Sequence, residues 1–236
     1  MTQLLYPRCR DSGRVARYPA AFFANTATVK GRAAHVTPMS RLTPLADDAL
    51  PAEAAALLKA GTDVMGFTPN DGRIMARRPA LLKAVFELVQ AVYAPGGVDA
   101  GLMKLIGLAS SAAAGCMYCT AHTGHAAHTA GVAADKVAAF WDFERSPAFS
   151  EAERAALSFA QAASQTPSAV TDADMDRLKA HFDDDAIVQI MGVIGLFGFL
   201  NRWNAALATD LEAEPGAFAD THLTAGGWQA GAHAPD

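Results

Sequence analysis

Two of the chain's three cysteines and three of its seven histidines fall within Gly115-Cys116-Met117-Tyr118-Cys119-Thr120-Ala121-His122-Thr123-Gly124-His125-Ala126-Ala127-His128. From Leu105 to Ala134 there is no Asp, Glu, Lys or Arg, so these thiols and imidazoles are the groups of that segment able to move a proton near neutrality. On a helix, positions three and four apart share a face. Cys116 and Cys119 are thus expected side by side, with His122 one turn beyond. A Cys-x-x-Cys pair can close and reopen a disulfide, and the thiolate is the attacking form, so a neighbouring imidazole that takes the proton makes chemical sense. His125 and His128 continue the same drift around the helix and move away from the sulfurs. Two other readings stay open at this point: the cysteines as small buried hydrophobes, and a metal site using both thiols with one or two histidines. Zinc favours four tetrahedral ligands, which side chains splaying from one helix supply poorly.

The elements that must hold such a pair are helical. The chain has 236 residues, 51% of them hydrophobic, enough for a sizeable core in one domain or two fused halves. A charged content of 18% and a net charge of −5 argue against a nucleic-acid or anionic-membrane binder. Three cysteines with this spacing do not make a secreted disulfide scaffold, which points to a reducing, cytoplasmic compartment. The apolar run Ile187 to Leu200 is shorter than the roughly 20 residues a membrane span needs and reads as a buried helix.

Residues 1–38 hold six Lys/Arg and one acid, +5 against −10 for the remainder, and read as a disordered or extraneous extension. Residues 39–212 carry the helical domain. One helix is expected from Pro51 to Met65, stopped by Gly66 and the turn-rich Thr68-Pro69-Asn70-Asp71-Gly72, and a second from Pro79 to Pro95. Asp99 opens the long segment leading into the cysteines. A short helix near Asp135 to Asp142 precedes one capped by Ser150 with Glu153; Thr171 with Asp174 starts the next, and Asp184 leads into the last, ending at Asn201-Arg202-Trp203-Asn204. No run alternates at strand spacing, so the fold class is all-α. Sliding the chain by 85 residues sets Gly107 on Gly192, Tyr118 on Trp203, and Cys116 and Cys119 on Asn201 and Asn204, the trace expected of a duplicated helical unit. Residues 213–236, with Trp228 and His233, read as a tail packing on the domain or on a neighbouring subunit.

Gly115-Cys116-Met117-Tyr118-Cys119-Thr120-Ala121-His122, the preceding Leu-Ile-Gly-Leu-Ala-Ser helix and Phe197-Gly-Phe-Leu-Asn-Arg-Trp-Asn204 together resemble the carboxymuconolactone decarboxylase family, in particular its alkylhydroperoxidase D-like branch. The resemblance implies an all-helical fold assembling into trimers or hexamers. It also implies a peroxidase of organic hydroperoxides that needs no metal or other cofactor and is re-reduced by a dithiol donor protein or a small thiol. By that analogy Cys119 attacks the peroxide, Cys116 resolves it and His122 belongs to the proton relay. The family's Glu, twelve residues before the first cysteine, is replaced here by Lys104, and its His, four after the second, falls at Thr123 with His122 one residue earlier. Lys104, Tyr118 and His125 are secondary site candidates. Arg202 and Trp203 read as holding helices or subunits together. Against the peroxidase stand a binding or regulatory oligomer with a vestigial dithiol and, with less support since decarboxylase members lack the cysteine pair, a lactone decarboxylase.

Overall fold

The computed structural model describes residues 40–234, and the N-terminal extension with Cys9 lies outside the described residues. Helix α1 (Ala52–Met65) ends where Gly66 adopts φ 85. The turn-rich stretch that follows is not a plain turn, because it opens α2 (Asn70–Met75) with Pro69 at the N-cap and Asp71 in the first turn. The residue types that favour turns also favour helix starts, where orphan N–H groups want an acceptor. Helix α3 (Pro79–Val92) has proline at its first position as expected. These three helices share a small apolar cluster of Ala54, Leu58, Met75, Ala76 and Leu82.

The centre of the fold is α4 (Ala100–Ala113), whose N-cap Asp99 accepts from the Leu102 N–H at 3.0 Å. Eleven of its residues are buried, so it is covered all round by α5 (Met117–Thr129), α7 (Glu151–Ala163) and α9 (Asp184–Leu207). Leu105, Ile106 and Leu108 are fully buried, each worth about 2 kcal/mol of apolar burial. Gly107 lets α9 come close: a Cβ there would stand 2.6 Å from the Phe197 ring.

Between α5 and α7 lie α6 (Ala134–Ala138) and a 3-10 turn at Ala139–Asp142. The capping boxes Ser150/Glu153 and Thr171/Asp174 both form, at the starts of α7 and of α8 (Asp172–Lys179). Helix α9 runs on through Asn201-Arg202-Trp203-Asn204 to Leu207, past the expected end, since Asn201 and Asn204 face inward and find partners there. In the 85-residue echo one continuous α9 answers two helices, α4 and α5. It is long and apolar enough to cross a membrane by length and composition, yet 44% of its most apolar window is buried inside the chain. The stretch read as a tail contains α10 (Ala213–His222), packed on α5, and two 3-10 turns at Thr224–Gly226 and Gly231–His233. Among the described residues, all regular structure is helical.

Candidate active site

Gly115 decides the geometry at the cysteines. Its φ of 70 lies in the left-handed region that side chains resist. The chain therefore turns between α4 and α5, and Cys116 becomes the N-cap of α5 instead of an interior helical residue. Its N–H donates to the Ser111 carbonyl at 3.1 Å and its own carbonyl accepts from the Thr120 N–H at 2.9 Å. Cys119, three residues on, still lies beside it, and both thiols are free and buried.

The two sulfurs differ in surroundings. The Cys119 thiol hydrogen-bonds the Cys116 sulfur and pulls the Cys116 pKa down to about 5, with the His233 imidazole and the Cys119 backbone N–H adding to this against the opposing effect of burial. Burial and the adjacent Cys116 sulfur push Cys119 up, although Asn204 Nδ2 donates to its Sγ at 3.4 Å. The same amide donates to Asp71 Oδ2 at 3.1 Å. Cys119 and Asn204, which the 85-residue echo superposes, thus meet in space.

His122 follows Cys119 by one turn of α5, and its main partner is a residue that sequence reasoning passed over. Glu212 Oε2 accepts from His122 Nε2 at 2.6 Å, so that nitrogen carries the hydrogen. The other oxygen of Glu212 accepts from the Tyr118 hydroxyl at 2.8 Å and from the Asn70 N–H. The Tyr118 ring stacks on His122 at 4.2 Å. Burial alone would lower the His122 pKa, but the Glu212 carboxylate outweighs it and the net shift is upward; Glu212 is held below its ordinary value by the same partnership, against its own burial. Desolvation pushes Asp71 up and Tyr118 well up. With side-chain exposures of 17% for His122 and 8% for Glu212, the pair is shielded yet reachable at its edge.

Other candidates stand elsewhere. Lys104 lies over the Tyr93 ring at 3.3 Å, where burial lowers its pKa to about 8. His125 packs between Phe67 and Phe218, and burial lowers its pKa. Arg202 donates to the Gly198 carbonyl at 2.6 Å. Among the described residues, no three His, Cys, Asp or Glu side chains converge in a way that could hold a metal ion. Asp71, Glu212 and His233 had no motif to announce them. The echo pairing Asn204 with Cys119 was the one sequence trace of this part of the site.

The carboxymuconolactone decarboxylase family profile matches residues 79–162, spanning α3 to α7 and both cysteines. The structure of the debrominase Bmp8 in complex with 2,3,4-tribromopyrrole is 36% identical, with a TM-score of 0.72, covering 76% of this chain and 96% of that one. This chain belongs to the carboxymuconolactone decarboxylase family. A peroxidase-related protein with an alkylhydroperoxidase AhpD core from Ralstonia eutropha JMP134 is 26% identical over 77% of this chain and 96% of its own, with a TM-score of 0.69. The protein YnjA of Escherichia coli (strain K12) is 47% identical over 73 residues, which is 31% of this chain and 40% of that protein. The family members so compared include both a debrominase and peroxidase-related proteins.

Proposed function

We propose that this protein is a dithiol oxidoreductase that reduces organic hydroperoxides through Cys116 and Cys119. The observation that carries the reading is the pair of free, buried thiols at the start of α5, on the helix that also carries the Tyr118 and His122 of the Tyr118–Glu212–His122 network. A thiolate of the pair attacks the terminal peroxide oxygen and the O–O bond breaks. The sulfur is left as a sulfenic acid, and the departing alkoxide takes a proton from the relay and leaves as the alcohol. The second thiol condenses with the sulfenic acid, a disulfide forms, and water leaves. An external dithiol or small thiol restores the pair by exchange. Glu212 supplies the carboxylate that the family pattern places where Lys104 stands, so the relay is built from the other end of the chain.

A second reading is favoured by the 36% identity to the debrominase across nearly all of that chain. The same thiolate attacks the bromine of a brominated heteroaromatic, the C–Br bond breaks, and the ring carbon takes a proton from His122. The second sulfur then displaces bromide to give the same disulfide. Both reactions deliver two electrons from the dithiol.

Stopped-flow mixing of reduced protein in a Cys9→Ser background with an alkyl hydroperoxide, and separately with a bromopyrrole, tests both. Two thiols should be lost per turnover with the hydroperoxide, and neither Cys116→Ser nor Cys119→Ser should form the intramolecular disulfide. Faster thiol loss with the bromopyrrole would transfer the assignment to debromination. Rates no better than those of a simple dithiol with either would end both.

A further inference from the structure

The C-terminal stretch brings a second imidazole to the dithiol. Trp228, 1% exposed, donates its Nε1–H to the Met117 carbonyl at 2.9 Å, pinning the stretch to the first turn of α5. The Leu211 N–H donates to the His233 carbonyl at 2.9 Å and closes the chain back on the α9–α10 link. His233, buried, then directs Nδ1 at the Thr209 carbonyl at 2.8 Å. A carbonyl only accepts, so Nδ1 carries the hydrogen and the other nitrogen is the one free to exchange a proton. The His233 ring stands 5.8 Å from that of Tyr118, at the first turn of α5 where Cys116 is the N-cap, and the imidazole helps to lower the Cys116 pKa. Around the Cys116 sulfur stand Cys119 and His122 from α5 and His233 from the C-terminal stretch. Around Cys119 stand Asp71 from α2, Asn204 from α9 and the Tyr118 hydroxyl.

This distribution is asymmetric. The His233 imidazole acts on Cys116, which also stands at the N-cap position, the positive end of α5, a setting that favours a thiolate. Burial and the Asp71 carboxylate favour the thiol at Cys119, and the N–H that the Asn204 amide donates to its sulfur opposes them without reversing the balance. We propose that His233 is a positioning residue that takes the Cys116 proton on Nε2 and holds that sulfur as the attacking thiolate, leaving Cys119 as the resolving thiol. The proton passes from Cys116 Sγ to the imidazole, and the Nδ1–H stays on the Thr209 carbonyl. The role rests on the dithiol reading, and it reverses the order of the two sulfurs that the family analogy implies.

Thiolate absorbance at 240 nm, followed against pH, tests the pairing without any substrate and without reagent access to a buried sulfur. In reduced Cys9→Ser protein the step of lowest pH should belong to Cys116: lost in Cys116→Ser and kept in Cys119→Ser. In His233→Ala its midpoint should rise by about one unit, a tenfold change in the proton equilibrium, while His233→Gln, which can still donate to the sulfur, should recover part of it. A residue that merely seats the C-terminal stretch would leave the midpoint in place. Persistence of the step in Cys116→Ser, with its loss in Cys119→Ser, would overturn the proposal. So would an unmoved midpoint in both His233 variants. If His233→Ala does not fold, the two cysteine variants and His233→Gln still decide. Because peroxide and bromopyrrole are absent, a protein with the Cys116–His233 pair but no turnover would retire the proposed substrates alone.

Discussion

At the scale of single residues, Glu212 is the junction of the site, since one carboxylate serves His122, Tyr118 and the start of α2. Glu212→Gln keeps the shape and removes the charge that raises His122. Turnover with the preferred substrate should fall by about 100-fold, within the usual range for a lost proton-transfer group. Stability should change with pH in a defined window. His122 is raised in the folded state, so its contribution is complete below its ordinary 6.5 and is lost as pH rises through its folded value. Glu212 is lowered, so its contribution is complete above its ordinary 4.5 and is lost as pH falls through its folded value. The difference between the native protein and Glu212→Gln, measured by urea denaturation, should therefore be largest between pH 4.5 and 6.5 and shrink on both sides. Breaking a buried pair by removing one charge commonly costs about 3 kcal/mol or more.

Among the elements, the α4–α5 turn does what no single side chain could. The left-handed Gly115 puts Cys116 at a helix cap while Cys119 remains in the first turn. Gly115→Ala should cost about 1 kcal/mol from the disfavoured backbone. Nothing lies within 4 Å of the added methyl, so the loss is conformational rather than steric. A shift in the Cys116 absorbance step would accompany it, since the cap geometry is what sets that sulfur. Gly107→Ala acts differently, because its Cβ would meet the Phe197 ring. Overpacking of this kind costs about 1–3 kcal/mol, and the readout is a lower urea midpoint. At the end of α9, Ala208 sits at φ 47 and turns the chain toward Thr209 and Glu212, the second backbone device that positions the site.

For the whole molecule, the unsettled surface is the outer face of α9. Val188, Met191 and Phe199 are 70%, 42% and 37% exposed and recur on one side of the helix with Gly195 and Arg202. The family resemblance implies trimers or hexamers, and this face is where we expect copies of the chain to meet. Sedimentation should give a mass of several times 24.6 kDa, and Val188→Glu should lower it while leaving helicity intact. A native protein sedimenting as a monomer would remove the expectation.

Much of the architecture was legible because it rests on local rules. The Ser150 and Thr171 capping boxes, Pro79 at a helix start and Asp99 as an N-cap act within four residues of themselves, and they stand where their sequence placed them. The turn signals at Asn70-Asp71-Gly72 misled because a turn and a helix start use the same side chains, and α9 ran long because its inward asparagines found distant partners. The dithiol and His122 were also readable, as they are neighbours along the chain. Glu212, Asp71 and His233 were not, and Asn204 only through the 85-residue echo, since each reaches the sulfurs or His122 across 48 to 117 positions of sequence. Such meetings are fixed by helix packing, by Gly115, by Ala208 and by Trp228 anchoring the C-terminal stretch. The sequence by itself determined that two thiols and an imidazole share one helix start. Tertiary structure alone decided which charges and hydrogen bonds surround each sulfur, because a pKa responds to neighbours in space and not to neighbours in sequence.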